Sequence, residues 1–107
     1  MELTPPNTRR APRTRLSLAV ADKRSERLGV TRDVSFEGMF IHTTRPHPVG
    51  TRCVLKVQLP GIEVAVEVAA EVVRTEEGGM GVRLIHAVEA QRSYFAGQLA
   101  RLSSVKN

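Results

Sequence analysis

Asp33-Val34-Ser35-Phe36-Glu37-Gly38 closes one apolar run and opens the next, since Met39 to Thr43 resumes a strand pattern directly after it. An acid, a hydroxyl and a glycine at such a junction predict a tight turn between strands. Asp and Ser side chains hydrogen-bond nearby backbone, and glycine, lacking a Cβ, lets the chain reverse sharply. The same three groups can hold the polar edge of a planar ring and let it approach the main chain. Turn chemistry alone accounts for them unless another segment supplies what the stretch lacks, which is positive charge.

Upstream, Arg9-Arg10-Ala11-Pro12-Arg13 supplies it. Pro12 biases Ala11 towards extended backbone, so the arm alternates its faces and sends Arg9 and Arg13 to one side. At about 3.3 Å per residue their Cα atoms lie roughly 13 Å apart, a spacing suited to two separated anionic or planar targets. A guanidinium can fork onto phosphate oxygens, fork onto the O6/N7 edge of guanine, or stack on a base. Alone, the arginine run reads as a solvated basic tail. Combined with the acid-hydroxyl-glycine turn it points to a nucleotide.

The two signatures, R-x-x-x-R as Arg9 and Arg13 and [D/N]-x-S-x-x-G as Asp33, Ser35 and Gly38, resemble those of the PilZ domain, a receptor module for the bacterial second messenger cyclic di-GMP. The likeness extends to the later Gly81-Val82-Arg83-Leu84 strand and the closing helical stretch, and covers nearly the whole chain. It implies that Arg9, Arg10 and Arg13 contact phosphates and guanine edges or faces. Asp33 would accept from guanine N1/N2 donors, Ser35 would add a hydrogen bond, and Gly38 would give clearance. Arg74 stands where the family often carries a base-stacking residue. Glu37 departs from the pattern, because the family often has a second glycine there, and it puts negative charge beside an anionic ligand. The resemblance further implies a downstream protein partner in motility, pili or polysaccharide export.

At 107 residues the chain is long enough for one core. Apolar residues make up 41% and charged residues 25%, which is ordinary for a globular domain. Aromatics are only Phe36, Phe40, Tyr94 and Phe95, so the core rests on Val, Leu, Ile and Ala. The 16 basic residues exceed the 11 acidic ones. Most of the basic residues are arginine, which favours anion recognition, although high-GC coding produces the same bias. No apolar run approaches a membrane span and no charged-then-apolar leader is evident, so a cytoplasmic location is expected.

Residues 1–8 read as a flexible lead-in, 9–15 as the arginine arm, 16–86 as a barrel and 87–102 as a C-terminal helix. Six strands are expected: a first carrying Leu16, Leu18 and Val20, then Leu28–Asp33, Met39–Thr43, Arg52–Leu59, Ile62–Arg74 and Met80–Ile85. Alternation puts Cys53, Leu55, Val57 and Leu59 on one buried face, and Val64, Val66, Val68, Ala70 and Val72 on another. Turn signals Pro60-Gly61 and Glu76-Glu77-Gly78-Gly79 separate the later strands. The fold class is therefore an all-β, six-stranded antiparallel barrel with a helix whose stripe is Val88, Phe95, Leu99 and Leu102.

Catalysis is not indicated. Glu63, Glu67 and Glu71 lie too far apart along a strand to act as a pair. His42, His47 and His86 do not sit at metal spacings with the lone Cys53, and neither a phosphate loop nor a Ser-His-Asp set is identifiable. The expectation is a cyclic di-GMP receptor without metal or cofactor. The alternatives are an adaptor barrel that has lost the nucleotide, or a basic barrel binding single-stranded nucleic acid.

Overall fold

A computed structural model of the chain describes residues 13–24 and 27–105, so Arg9 and Arg10 lie outside the described residues. Six strands, β1 (Ala19–Asp22), β2 (Arg27–Val34), β3 (Gly38–His42), β4 (Arg52–Val57), β5 (Val66–Glu76) and β6 (Gly79–Ile85), precede one helix, α1 (Glu89–Val105). The strands close into an antiparallel barrel in the order β1-β2-β3-β6-β5-β4. Closure pairs every edge, and the inward side chains of all six strands meet in one core.

That core is aliphatic. Val20, Val34, Met39, Ile41, Leu55, Val57, Ala70, Val72 and Met80 are buried within it, and Phe95 and Leu99 of α1 join the same cluster. The helix lies at the barrel end that carries the β2–β3 turn: Arg92 reaches Glu37 at 3.7 Å, and the Arg101 guanidinium donates to the Pro60 carbonyl at 2.9 Å. Phe95 and Leu99 pack it onto the barrel, while Gly97 faces open space. Gln91 Oε1 accepts from the Ala87 amide at 2.9 Å, which supplies a cap where no Ser, Thr, Asp or Asn precedes the helix.

Several boundaries depart from the sequence reading. The first ladder begins at Ala19; before it, Leu16 and Leu18 face inward and bond to Thr31, whose amide donates to the Leu18 carbonyl at 2.9 Å and whose side chain serves both residues. Thr31 Oγ1 accepts from the Leu18 amide at 2.9 Å and donates to the Leu16 carbonyl. The fifth strand begins at Val66, and Val64, expected on the buried face, is 76% exposed. Val88 is likewise 57% exposed and precedes the helix, leaving Phe95 and Leu99 as its buried stripe, with Leu102 half-buried.

Two β-bulges shape the outer wall. On β2 the register steps from Thr31↔Ile41 to Asp33↔Phe40, so Arg32 and Asp33 both oppose Phe40. On β5 it steps from Val72↔Val82 to Arg74↔Gly81, so Val73 and Arg74 both oppose Gly81. A bulge interrupts the period of two and re-aims the side chains beside it. Thr31 and Val72 stay inside at 1% exposure, while Asp33, Arg32 and Arg74 share the outer face.

Candidate functional site

Phe40 organises this outer face. Its neighbours Met39 and Ile41 point into the core, so Phe40 points out, yet it is only 2% exposed. Its cover is polar. The Arg32 guanidinium carbon lies 4.1 Å from the ring centroid, Arg74 lies 5.5 Å from it, and His42 meets it edge-on at 5.6 Å. The two guanidinium contacts are cation–π contacts, which favour these positions on the wall. Room for the ring comes from β6, where a Cβ on Gly79 would meet Phe40 ring carbons at 2.7 Å.

Asp33 joins the arm to this wall. The Thr14 and Val34 amides and carbonyls exchange two hydrogen bonds of 2.9 Å, which fixes the end of the arm against β2. Arg13 then donates to Asp33 Oδ1 through Nε at 2.8 Å and Nη2 at 2.6 Å, and Arg32 Nε donates to Oδ2 at 2.8 Å. Without the bulge, adjacent residues 32 and 33 would face opposite ways and this second pair could not form. Partial burial alone would push the Asp33 carboxyl up, but the hydrogen bonds and charges of Arg32 and Arg13 outweigh it and hold the group below its usual value.

Ser35 is buried within the turn. Its Oγ accepts from the Glu37 amide at 3.1 Å and the Gly38 amide at 3.2 Å, while the Ser35 amide donates to the Gly38 carbonyl at 2.8 Å. Gly38 has no positive φ; its requirement is steric, because a Cβ there would sit 2.6 Å from the Val82 carbonyl oxygen across the β3–β6 ladder. The two residues therefore build the turn as well as facing the space beside it.

That space is an open cleft of about 490 Å³ lined by Arg13, Arg74, Arg83 and Arg92, with Ser35, Gly38 and Gly81 among the small residues of its wall. Arg74 crosses Gly81, where an added Cβ would stand 3.2 Å from its Cγ, and its Nε donates to Glu76 at 2.8 Å. Arg83 pairs with Glu71 at 2.5 Å, and Arg92 stacks 4.6 Å from the Phe36 ring. Glu37 also lines the cleft.

Of the residues predicted from sequence, the fold brings Arg13, Ser35, Gly38 and Arg74 to this cleft, with Asp33 held on Arg13. Arg32, Arg83 and Arg92 were not anticipated as site residues. Alternation could have found Arg83, since Met80, Val82 and Leu84 point inward around it. Arg32 depends on a bulge and Arg92 on the docking of α1, and neither has a local sequence signal.

The barrel thus gathers arginines and small residues on one outer wall, around a cleft in the size range of small-ligand sites whose guanidinium groups have the chemistry to meet an anion. The chain belongs to the PilZ domain family, whose model matches residues 7–101. No curated protein matches it in sequence. Among solved structures it is similar to the Bacillus subtilis inhibitor of motility (MotI/DgrA), with a TM-score of 0.72 and 18% identity, covering 92% of this chain and 52% of that one. An uncharacterized Legionella protein matches with a TM-score of 0.70 and 18% identity over 90% of this chain and 99% of that chain. The PilZ domain of CeSA from a cellulose-synthesizing bacterium matches with a TM-score of 0.61 and 17% identity, over 91% of this chain and all of that domain. At these identities the neighbours show the fold. Among the described residues no helix is long and apolar enough to cross a membrane.

Proposed function

We propose that this domain is a cyclic di-GMP receptor that binds its ligand in the arginine-lined cleft and passes the event to a protein partner. The observation that carries the reading is the docking of Arg13 onto Asp33 beside a cleft lined also by Arg74, Arg83 and Arg92. It joins the two halves of the sequence signature in one place. Each guanidinium can fork onto a phosphate or a guanine O6/N7 edge, and Gly38 and Gly81 keep the wall low for a flat base. A carboxylate has about four acceptor positions, so Asp33 Oδ2 can take a guanine N–H while Arg32 remains bound to it. Ser35 contributes by fixing the turn, and Arg9 and Arg10 add charge from the arm. The family resemblance supports a downstream protein partner of unspecified identity, in motility, pili or polysaccharide export.

Glu37 favours the second reading, an adaptor without nucleotide, because it places a carboxylate in the cleft. Binding of single-stranded nucleic acid is disfavoured by the aromatics: Phe40 and Phe95 are buried and Phe36 lies under Arg92, which leaves Tyr94 without a neighbouring stacking platform among the described residues. Calorimetric titration with cyclic di-GMP, against cyclic di-AMP and a short oligonucleotide, decides among the three. At a hundredfold excess over Kd the receptor gains about 2.7 kcal/mol, a melting shift of roughly 10 °C or more. No heat and no shift at millimolar ligand would overturn the receptor reading and favour the adaptor.

A further inference from the structure

At the barrel end away from the Ser35–Gly38 turn, the fold assembles three donors that are scattered in sequence. Asp22 ends β1 and faces inward with Val20; Cys53 lies near the start of β4 on the face of Leu55 and Val57; His47 descends from the loop between β3 and β4. One carboxylate oxygen, one imidazole nitrogen and the thiol sulfur all lie within 4.8 Å of one another. Linear spacing gives no hint of this, because the three come together only when β1 pairs with β4 and the loop folds over the opening.

We propose that Asp22, His47 and Cys53 form a binding site for a divalent transition metal, with zinc the best match to the donor set. A thiolate with an imidazole selects zinc, cobalt or copper over magnesium and calcium, and two anionic ligands with one neutral ligand balance a dication. Tetrahedral zinc at its usual bond lengths places donors about 3.3–3.7 Å apart. His47 Nε2 and Asp22 Oδ2 are already 3.0 Å apart, so contraction onto a metal falls mainly on side-chain rotation of Cys53.

The ligands are held from outside. Asp22 Oδ1 accepts from the Arg24 amide at 2.8 Å, which orients Oδ2 towards His47, and the His47 amide lies 3.3 Å from the sulfur of buried Met80. Such outer contacts position ligands before a metal arrives. A cavity of about 310 Å³ is lined by all three residues and leaves room for a water or an exogenous group in the fourth position. Lys23, Arg24 and Arg52 line it too; Lys23 pairs with Glu67 at 3.4 Å and Arg52 with Glu71 at 3.7 Å, and a charge-balanced site imposes little repulsion on the three. Bound metal would clip the β3–β4 loop to β1 and β4 across the barrel opening. The site shares no residue with the arginine cleft and stands independently of its ligand.

The test uses the full chain, tag-free and reduced, titrated with cobalt(II) as a spectroscopic probe and then with zinc. Expected are thiolate-to-cobalt charge-transfer absorption and intense tetrahedral d–d bands saturating at one equivalent, both lost on adding zinc. Cys53→Ser removes the charge-transfer band, while His47→Gln and Asp22→Asn each weaken cobalt and zinc binding at least tenfold with little change in metal-free melting. If Cys53→Ser does not fold, the wild-type band and His47→Gln, which alters a loop side chain, decide the question. Absence of the band in the wild type, or unchanged affinity in His47→Gln and Asp22→Asn, overturns the proposal and leaves only an Asp22–His47 hydrogen bond beside a packing cysteine.

Discussion

Replacing Asp33 by alanine removes a negative charge next to a proposed anion site, so simple electrostatics predicts tighter binding. The geometry predicts weaker binding. Asp33 is 15% exposed and accepts from Arg13 at 2.6 and 2.8 Å and from Arg32 at 2.8 Å. The partners are 42% and 39% exposed, so water screens both pairs, and about 0.2–1 kcal/mol each is the appropriate scale for stability. A loss near 1 kcal/mol lowers the melting temperature by about 4–8 °C and leaves a folded protein. Binding suffers more. The variant frees Arg13 from its position and leaves guanine donors unpaired in a partly desolvated cleft, about 1–3 kcal/mol or five- to a hundredfold in Kd. The assay is calorimetric titration of wild type and Asp33→Ala with cyclic di-GMP at two salt concentrations. Weaker binding at both salts is expected; equal or tighter binding that fades with salt would refute guanine recognition in favour of a nonspecific basic surface.

Two glycines of the cleft separate fold from site. Gly38→Ala drives a Cβ against the Val82 carbonyl oxygen at 2.6 Å and must part β3 from β6, costing about 1–3 kcal/mol in thermal or urea unfolding. Gly81→Ala meets only the movable Arg74 side chain at 3.2 Å, so melting stays nearly unchanged while cyclic di-GMP affinity falls severalfold. Glu37→Gln removes the carboxylate from the cleft and releases Arg92, 3.7 Å away, and cyclic di-GMP should bind about two- to fivefold more tightly by titration. Because Asp33 titrates below its usual 3.8 in the folded protein, its pairs stabilise fully above the unfolded value and are lost as pH falls through the folded one. The melting difference between wild type and Asp33→Asn should therefore be constant from pH 7 to about 5, shrink as pH falls past the unfolded value and close only below the folded one; a difference that does not shrink on acidification would contradict the pairing.

Period-two alternation and turn residues made the barrel legible, because a strand with one buried face writes that face into every second residue. The reading failed where apolar parity continued without a ladder: Val64 and Val88 extend their patterns yet sit outside β5 and α1. It failed again at the bulges. Nothing in Thr31-Arg32-Asp33 or Val72-Val73-Arg74 announces an extra residue, since a bulge is defined by the strand opposite. Strict alternation would have sent Arg74 inward with Val72. The resemblance nevertheless assigned Arg74 to a ligand site, and the β5 bulge is the device that turns it outward. The approach of Asp22, His47 and Cys53 was hidden for a related reason, because proximity across a barrel opening leaves no trace in linear spacing.

The arm enters this geometry already fastened at one point. Thr14 is bonded to Val34 through both backbone groups, and Arg13 is clamped on Asp33, so the last turn of the approach to the barrel is set before any ligand contacts it. A ligand that takes Arg13 as a phosphate partner must either share it with Asp33 or release it, and release leaves Asp33 to Arg32 alone. The Thr14–Val34 bridge does not depend on that exchange, since it uses main-chain groups. Under the proposed receptor reading, Arg13 is the described arm residue that a ligand would draw from Asp33, while Thr14 stays bridged to Val34 and Arg32 and Arg74 stay on the Phe40 ring.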